Sequence, residues 1–140
     1  IVEKSNEFLK EMTMGKYSLT ISENGKDIEI EDDMHRLKSE KIWSSGTGDQ
    51  VYLAIRLAMA LSFGSQIEPL PIVLDDIFVR FDEKRQRETL RFLMDLGKTQ
   101  QIFLFTCHER TMHIAEEVGY EKGTGEFIHL SQGEIEQVGQ

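Results

Sequence analysis

Apolar and polar residues recur along the chain with periods that predict four helices. Residues 1–13 carry apolar side chains that partly fit one helical stripe, and residues 49–61 are apolar on nearly every side, which is typical of a buried helix. An amphipathic pattern predicts a third helix over residues 83–96, ended by Gly97. A fourth is expected after His108, up to about residue 118. The third helix is expected to turn four apolar residues inward: Leu90, Leu93, Met94 and Leu96.

Two short apolar runs, at residues 72–74 and 102–105, predict buried strands between these helices. Continuous apolar runs of this length are typical of parallel strands that are covered on both faces. Helix, strand, helix, strand and helix then follow one another along the chain. This order predicts an α/β fold with parallel core strands flanked by helices.

Small antiparallel hairpins are expected on either side of this core. Residues 17–22 and 27–31 alternate polar and apolar side chains around a turn-forming segment, and a third extended stretch is expected near residues 34–37. Residues 127–130 and 135–138 predict a closing hairpin.

Composition limits the classes of function. The chain has 140 residues, 39% of them hydrophobic and 29% charged, which fits one globular domain. The formal net charge of −9 argues against a surface that grips nucleic acid throughout. Five basic residues after residue 79 are interpreted as a solvated helix face: Arg80, Lys84, Arg85, Arg87 and Arg91.

Membrane and secretory signals are missing from the sequence. The longest apolar stretch, residues 51–63, is too short for a membrane span, and no signal-peptide pattern begins the chain. Cys107 is the one cysteine, so no internal disulfide forms, and a reducing cytoplasm is expected.

An acidic pair follows the first apolar strand. Asp75 and Asp76 would lie at the carboxyl end of a parallel sheet, where ligand sites of α/β proteins are found. Two adjacent carboxylates there favour a Mg²⁺ ion accompanied by phosphate. The alternative is that they only end the strand and begin a turn.

The second apolar strand is followed by Thr106, Cys107 and His108. The imidazole of His108 could polarise a phosphate or orient a water molecule; a capping threonine beside an incidental histidine is the alternative. Zinc binding by His108 and His113 is not expected, because residues five apart do not share a helix face.

Small residues precede the second predicted helix. Ser44, Ser45, Gly46 and Thr47 could bring backbone N–H groups close to an anion at a helix N-terminus. A flexible loop with a Ser or Thr cap is the alternative. Asp82 is expected to cap the helix at residues 83–96.

Taken together and in this order, the motifs resemble the C-terminal lobe of an ABC-class ATPase head. Residues 44–47 match the signature loop, 72–76 the Walker B strand, 79–82 the D-loop and His108 the switch histidine. The helix at residues 50–60 is similar to that of SMC-, SbcC- and RecN-type proteins, and the motif set is most similar to the YhaN-like branch. The resemblance implies that residues 1–14 end a returning coiled coil and that residues 15–140 form the lobe.

The resemblance assigns roles in ATP hydrolysis to the ends of the two strands. It implies that Asp75 holds Mg²⁺, that Asp76 orients or deprotonates the attacking water, and that His108 contacts the γ-phosphate. Many ABC ATPases have glutamate where this chain has Asp76, which is one methylene shorter.

The resemblance places the remaining motifs at a head-to-head homodimer. Within the ATP-binding signature loop of Ser44, Ser45, Gly46 and Thr47, Ser44 and Gly46 would reach the γ-phosphate on the opposite head, and Asp82 would couple the two sites. Ser45 stands where the signature usually has its first glycine, and Thr47 where it usually has Gln or Glu.

One required motif is missing: no G-x-x-x-x-G-K-[ST] phosphate loop occurs in the chain. We therefore expect the native chain to continue upstream of Ile1 and the lobe to be inactive until an N-terminal Walker A lobe completes it. A role in DNA repair or chromosome maintenance, with DNA and a nuclease subunit as partners, is implied by the family. A transporter-type ATPase lobe and a non-hydrolysing, ATP-dependent clamp are the alternatives.

Overall fold

Four helices and seven strands follow one another in the computed structural model, which describes residues 1–64, 70–123, 125–131 and 134–137. The elements are α1 (Val2–Met12), β1 (Tyr17–Ile21), β2 (Ile28–Asp32), β3 (Leu37–Ser39), a 3₁₀ turn (Glu40–Ile42), α2 (Ser45–Gly64), β4 (Ile72–Asp75), α3 (Glu83–Leu96), β5 (Ile102–Phe105), α4 (Glu109–Lys122), β6 (Ile128–Ser131) and β7 (Glu134–Gln137).

The first sheet is antiparallel, in the order β1-β2-β3. The predicted hairpin of β1 and β2 is confirmed, but the third strand begins at Leu37, three residues later than expected. Residues 33–36 turn instead, because the buried Asp32 carboxylate accepts hydrogen bonds from the backbone N–H groups of Met34 and Arg36 at 2.9 Å each. His35 completes the turn at φ 60°.

Helix α2 begins four residues earlier than the sequence predicted. The Ser44 hydroxyl accepts a hydrogen bond from the Thr47 N–H at 3.2 Å, and this cap draws the small residues into the first helical turn. The expectation of burial on nearly every side was also wrong. Val51 and Leu57 are buried, whereas Tyr52 and Met59 are more than 40% exposed.

Helix α1 packs across α2 and α3 at the centre of the core. Leu9 and Met12 are fully buried there, and the Phe8 ring meets Phe92 edge-on with 5.3 Å between centroids. Leu90 of α3 is buried, as predicted. Burying side chains of this size stabilises the fold by roughly 1.5–3 kcal/mol each.

Buried polar contacts fix α3 between its neighbours. Gln50 of α2 donates to Thr89 of α3 at 3.2 Å, and Thr111 of α4 donates to Gln86 of α3 at 2.8 Å. Each buried side-chain polar atom among the described residues has a hydrogen-bond partner, so these contacts set the relative positions of three helices at little desolvation cost.

Strands β4 and β5 pair in parallel, with Ile72 opposite Ile102 and Asp75 opposite Phe105. The predicted parallel pairing is thereby confirmed. The prediction that both faces of these strands are buried is wrong. Val73, Phe103 and Phe105 are 61%, 43% and 47% exposed. These three residues form an open sheet face.

The closing hairpin is confirmed for β6 and β7, which pair antiparallel. Its expected turn residues 132–133, and residue 138, lie outside the described residues. Among the helices that the structure describes, none is both long and apolar enough to cross a membrane.

Candidate functional site

The acidic pair and the histidine meet at the carboxyl ends of β4 and β5. Because the strands are parallel and in register, the residues that follow them emerge side by side. The Asp76 N–H donates to the Phe105 carbonyl at 2.8 Å, one step beyond the strand pairing. Asp76 itself adopts a left-handed backbone at φ 50°, which is uncommon for a residue with a side chain, although Asp and Asn adopt it more readily than most.

The Asp76 carboxylate is held by the loop after β5. It accepts hydrogen bonds from the Cys107 thiol and the Cys107 N–H, both at 3.3 Å. The thiol hydrogen bond, helped by the N–H and opposed by partial burial, keeps the pKa of Asp76 below its usual value. The same carboxylate raises the pKa of the Cys107 thiol. Asp76 is therefore ionised and Cys107 protonated near neutral pH.

The His108 ring lies beside this carboxylate, with Nε2 3.9 Å from Asp76 Oδ1 and half of its side chain exposed. Its backbone N–H donates to Thr106 Oγ1 at 3.1 Å, and its side chain does not cap α4. The backbone of His108 is thus held by Thr106, and its half-exposed imidazole is accessible to a ligand.

Asp75 is the last residue of β4 and is exposed. No hydrogen bond or ion pair joins its carboxylate to any residue that the structure describes, although its charge helps to raise the pKa of Cys107. An exposed carboxylate without a protein partner, one residue before an ionised carboxylate, fits the hard oxygen-rich surroundings that Mg²⁺ requires.

The predicted signature residues form the N-terminal turn of α2. Ser44 and Ser45 are exposed, whereas Gly46 and Thr47 are buried. The first N–H groups of a helix have no carbonyl partner within it, so this turn offers donors to an anion. The alternative interpretation of Ser44 as a helix cap is confirmed by its bond to Thr47.

Arg85 joins this turn to the predicted D-loop. Its guanidinium donates to Thr47 Oγ1 at 2.9 Å, to Ser44 Oγ at 3.4 Å and to Asp82 Oδ2 at 2.8 Å. Asp82 caps α3, as predicted, by accepting from the Arg85 N–H at 2.8 Å. A Cβ on Gly46 would lie 2.9 Å from Arg85 Cδ, so a larger residue there would displace the Arg85 side chain.

Sequence reasoning missed Arg85 and Cys107. The sequence groups Arg85 with the solvated basic residues. Its position three residues after the capping Asp82, in the first turn of α3, is the local signal that could have set it apart. Cys107 lies between two residues that had been singled out. Arg85 bonds to Thr47 and Cys107 to Asp76, each more than 30 positions away, which no local pattern reveals.

The basic cluster is neutralised by acidic neighbours. Arg80 bonds to Asp49, Arg87 to Glu83 and Glu117, and Arg91 to Glu121. The remaining pairs are Lys84 with Glu88 and Arg85 with Asp82. The pairs of Lys84, Arg87 and Arg91 agree with the interpretation of a solvated helix face. That interpretation is wrong for Arg85, which bonds to Ser44 and Thr47, and for Arg80, which precedes the helix and bonds to Asp49.

A cavity of about 780 Å³ opens beside Asp75, between the C-terminal half of α2 and strand β4. Its lining is largely apolar and includes Phe63, Leu70 and Ile77. Such a lining suits contact with protein rather than with phosphate.

No protein-family model matches the chain. Over 115 residues, covering 78% of the chain, it is 38% identical to the uncharacterized protein YhaN of Bacillus subtilis. The chain spans only 11% of the length of that relative.

Solved structures of SMC heads match nearly the whole chain. The SMC head domain from Thermotoga maritima is 18% identical and covers 100% of this chain and 47% of its own, with a TM-score of 0.67. The Smc head of Pyrococcus furiosus, bound to the C-terminal domain of ScpA, is 17% identical over 99% of this chain and 34% of its own, at 0.65.

A further SMC structure comes from work on ATP-driven dimerization and DNA-stimulated activation of SMC ATPases. It is 15% identical, covers 99% of this chain and 82% of its own, and has a TM-score of 0.68. The expected resemblance is confirmed: the chain has the partial P-loop ATPase fold of an SMC-like head lobe and is similar in sequence to one segment of YhaN.

Proposed function

We propose that the chain is the C-terminal lobe of an ATP-hydrolysing head in a coiled-coil protein of DNA repair or chromosome maintenance. One observation carries the proposal: Asp76 and His108 meet beyond the ends of two parallel strands, directly after Asp75, on the fold of SMC heads. The reaction is ATP plus water to ADP plus phosphate. The DNA and any nuclease subunit would contact the whole cytoplasmic protein, of which this lobe is one part.

Asp75 would hold Mg²⁺ through water, and the ion supplies charge stabilisation to the phosphates when it is bound. Asp76 accepts a hydrogen bond from the attacking water and fixes its direction. Its low pKa favours orientation over full proton removal, because a general base works best when its pKa is near the operating pH. His108 donates to the γ-phosphate.

The first turn of α2 would serve the ATP bound to the opposite head of a dimer. Ser44 and Ser45 are exposed there, and the first N–H groups of a helix have no carbonyl partner within it, so they are available to an anion. Arg85 and Thr47 hold the turn in place, and Asp82 ties it to the loop after β4. The exposed Val79 in that loop is available to a facing head.

The open sheet face supports completion by a second lobe. Parallel strands are almost always covered on both faces, yet Val73, Phe103 and Phe105 face outward. The apolar cavity beside Asp75 borders the same strand. An N-terminal lobe that carries the Walker A loop would cover this surface and bring the phosphates to Asp75.

The test is steady-state ATP hydrolysis by the chain combined with its Walker A lobe, with and without DNA. Alone, the chain is expected to show no turnover and little ATP affinity. Together, the lobes should hydrolyse ATP, faster with DNA. Asp76→Asn should retain bound ATP and stabilise the dimer, while Ser44→Arg should block turnover by obstructing the interface.

Val2→Ala, at an exposed position of α1, is the matched control and should leave turnover unchanged. Normal hydrolysis by the Asp76→Asn head would show that Asp76 does not direct the water. Turnover by the purified chain alone, lost in Asp76→Asn, would contradict the need for a second lobe.

A non-hydrolysing clamp is the second candidate. It is favoured by the contact between Asp76 and Cys107, which occupies the carboxylate that must meet water. Tight ATP binding and dimerisation without turnover would support the clamp, and Asp76→Glu would then be the variant expected to gain hydrolysis.

A further inference from the structure

Three side chains with different donor atoms meet at the ends of β4 and β5. A carboxylate oxygen of Asp76, the sulfur of Cys107 and a ring nitrogen of His108 all lie within 4.8 Å of one another. Cys107 is exposed and has no part in the proposed hydrolysis. The cluster therefore includes a sulfur donor that the proposed ATP hydrolysis does not use.

The distances fit a small four-coordinate metal ion. Asp76 Oδ2 lies 3.3 Å from Cys107 Sγ, and Asp76 Oδ1 lies 3.9 Å from His108 Nε2. Zinc bond lengths of about 2.0–2.3 Å in a tetrahedron separate neighbouring ligand atoms by roughly 3.4–3.6 Å. The two distances involve different oxygens of the Asp76 carboxylate, and all three donor groups lie within 4.8 Å of one another, so the site requires the side chains to draw together around the ion.

The backbone around the cluster is fixed by the sheet. Asp76 is anchored by its N–H bond to Phe105, and the Cys107 N–H bonds to the Asp76 carboxylate. Because these ligands are held in place before the ion binds, the loss of conformational entropy on binding is smaller.

The donor set selects the metal. Mg²⁺ and Ca²⁺ take oxygen ligands, whereas a thiolate, an imidazole and a carboxylate together suit Zn²⁺ and its analogues. Three protein ligands with a fourth position left to solvent is the pattern of open zinc sites. Both Cys107 and His108 are exposed to solvent, as an open site requires.

We propose that Asp76, Cys107 and His108 form a three-ligand site for Zn²⁺ or a similar transition metal. Binding replaces the thiol proton by the metal and releases that proton to solvent, with no change in oxidation state. Where the proposed function holds, the consequence is inhibition, because the ion occupies the two residues that act on ATP.

Cobalt(II) is the probe, because a Co²⁺ ion bound by thiolate absorbs in the near ultraviolet and a four-coordinate one absorbs strongly in the visible. It is titrated into the reduced chain alone. One equivalent should saturate both absorptions, and added Zn²⁺ should abolish them. Cys107→Ser should remove the near-ultraviolet band and weaken Zn²⁺ binding at least tenfold.

His113→Ala is the matched control, since His113 is an exposed histidine of the following helix outside the cluster. It should titrate like the unchanged chain. Asp76→Asn, which tolerates the left-handed backbone, should weaken binding while far-ultraviolet circular dichroism confirms the fold.

Failure to saturate, or equal binding by Cys107→Ser, would overturn the metal site. Neither result bears on the proposed function, because the titration needs no ATP and hydrolysis is measured in zinc-free magnesium buffer. Conversely, metal binding by a chain whose completed head does not hydrolyse ATP would leave the site standing and remove only its inhibitory consequence.

Discussion

The left-handed backbone of Asp76 predicts that glycine is better tolerated there than alanine. At φ 50°, a residue with a Cβ costs about 1–2 kcal/mol, and only Gly, Asn and Asp visit this region routinely. Glycine instead costs about 0.5–1 kcal/mol in chain entropy. Asp76→Gly should therefore be more stable than Asp76→Ala by about 0.5–1 kcal/mol.

The two variants form a clean comparison because both lose the same contacts. Each removes the carboxylate that accepts from Cys107, and each keeps the Asp76 N–H bond to Phe105. The difference between their free energies of unfolding therefore reports the conformational preference of the backbone at position 76.

Arg56 provides the control, because it is exposed in the middle of α2. In a helix interior, alanine is more stable than glycine by about 1 kcal/mol. The order of the two residues should thus be reversed between positions 56 and 76.

Urea unfolding of the four variants measures this reversal. With a slope of about 2 kcal/mol/M, the midpoints of the position-76 pair should differ by roughly 0.4 M in favour of glycine. If alanine were the more stable residue at both positions, the Asp76 backbone would carry no strain. The choice of Asp76→Asn for the hydrolysis and metal tests would then lose its structural basis.

Three further predictions concern stability. Ser44→Ala removes the cap on Thr47 and should cost about 0.5–2 kcal/mol in urea unfolding, against a few tenths for Ser44→Gly. Leu57→Ala, at a fully buried site, should cost about 2–5 kcal/mol. Asp32 has a lowered pKa, chiefly through the Arg36 N–H, so its stabilisation is complete above about pH 3.9 and lost as pH falls further. The stability advantage over Asp32→Asn should therefore be the same at pH 6 and pH 5 and shrink as pH falls below about 3.9.

Local signals explain which elements the sequence predicted well. Helix α3 begins and ends where expected, because Asp82 caps one end and Gly97 follows the other. Helix α2 was predicted too short because its first turn consists of small polar residues. Those residues are poor helix formers, and only the Ser44 cap places them in the helix.

The open sheet face could not have been predicted from the sequence. An apolar run such as residues 102–105 has the same composition whether its outer face is covered by the same lobe or lies open to solvent. The acidic pair and His108 follow two adjacent parallel strands, which places them at one edge of the sheet, and the predicted parallel pairing is enough to explain this position. The contacts of Arg85 and Cys107 depend on tertiary packing, which composition and spacing do not encode.

The open sheet face also determines how copies of this lobe behave towards one another. The exposed apolar side chains of Val73, Phe103 and Phe105 favour association between molecules. The net charge of −9 opposes it by electrostatic repulsion. The repulsion reaches about 10 Å in 0.1 M salt and about 3 Å in 1 M salt, whereas apolar attraction does not weaken. Colloidal stability of the uncovered lobe should therefore fall as salt rises, and dilute buffer is the condition in which it stays dispersed.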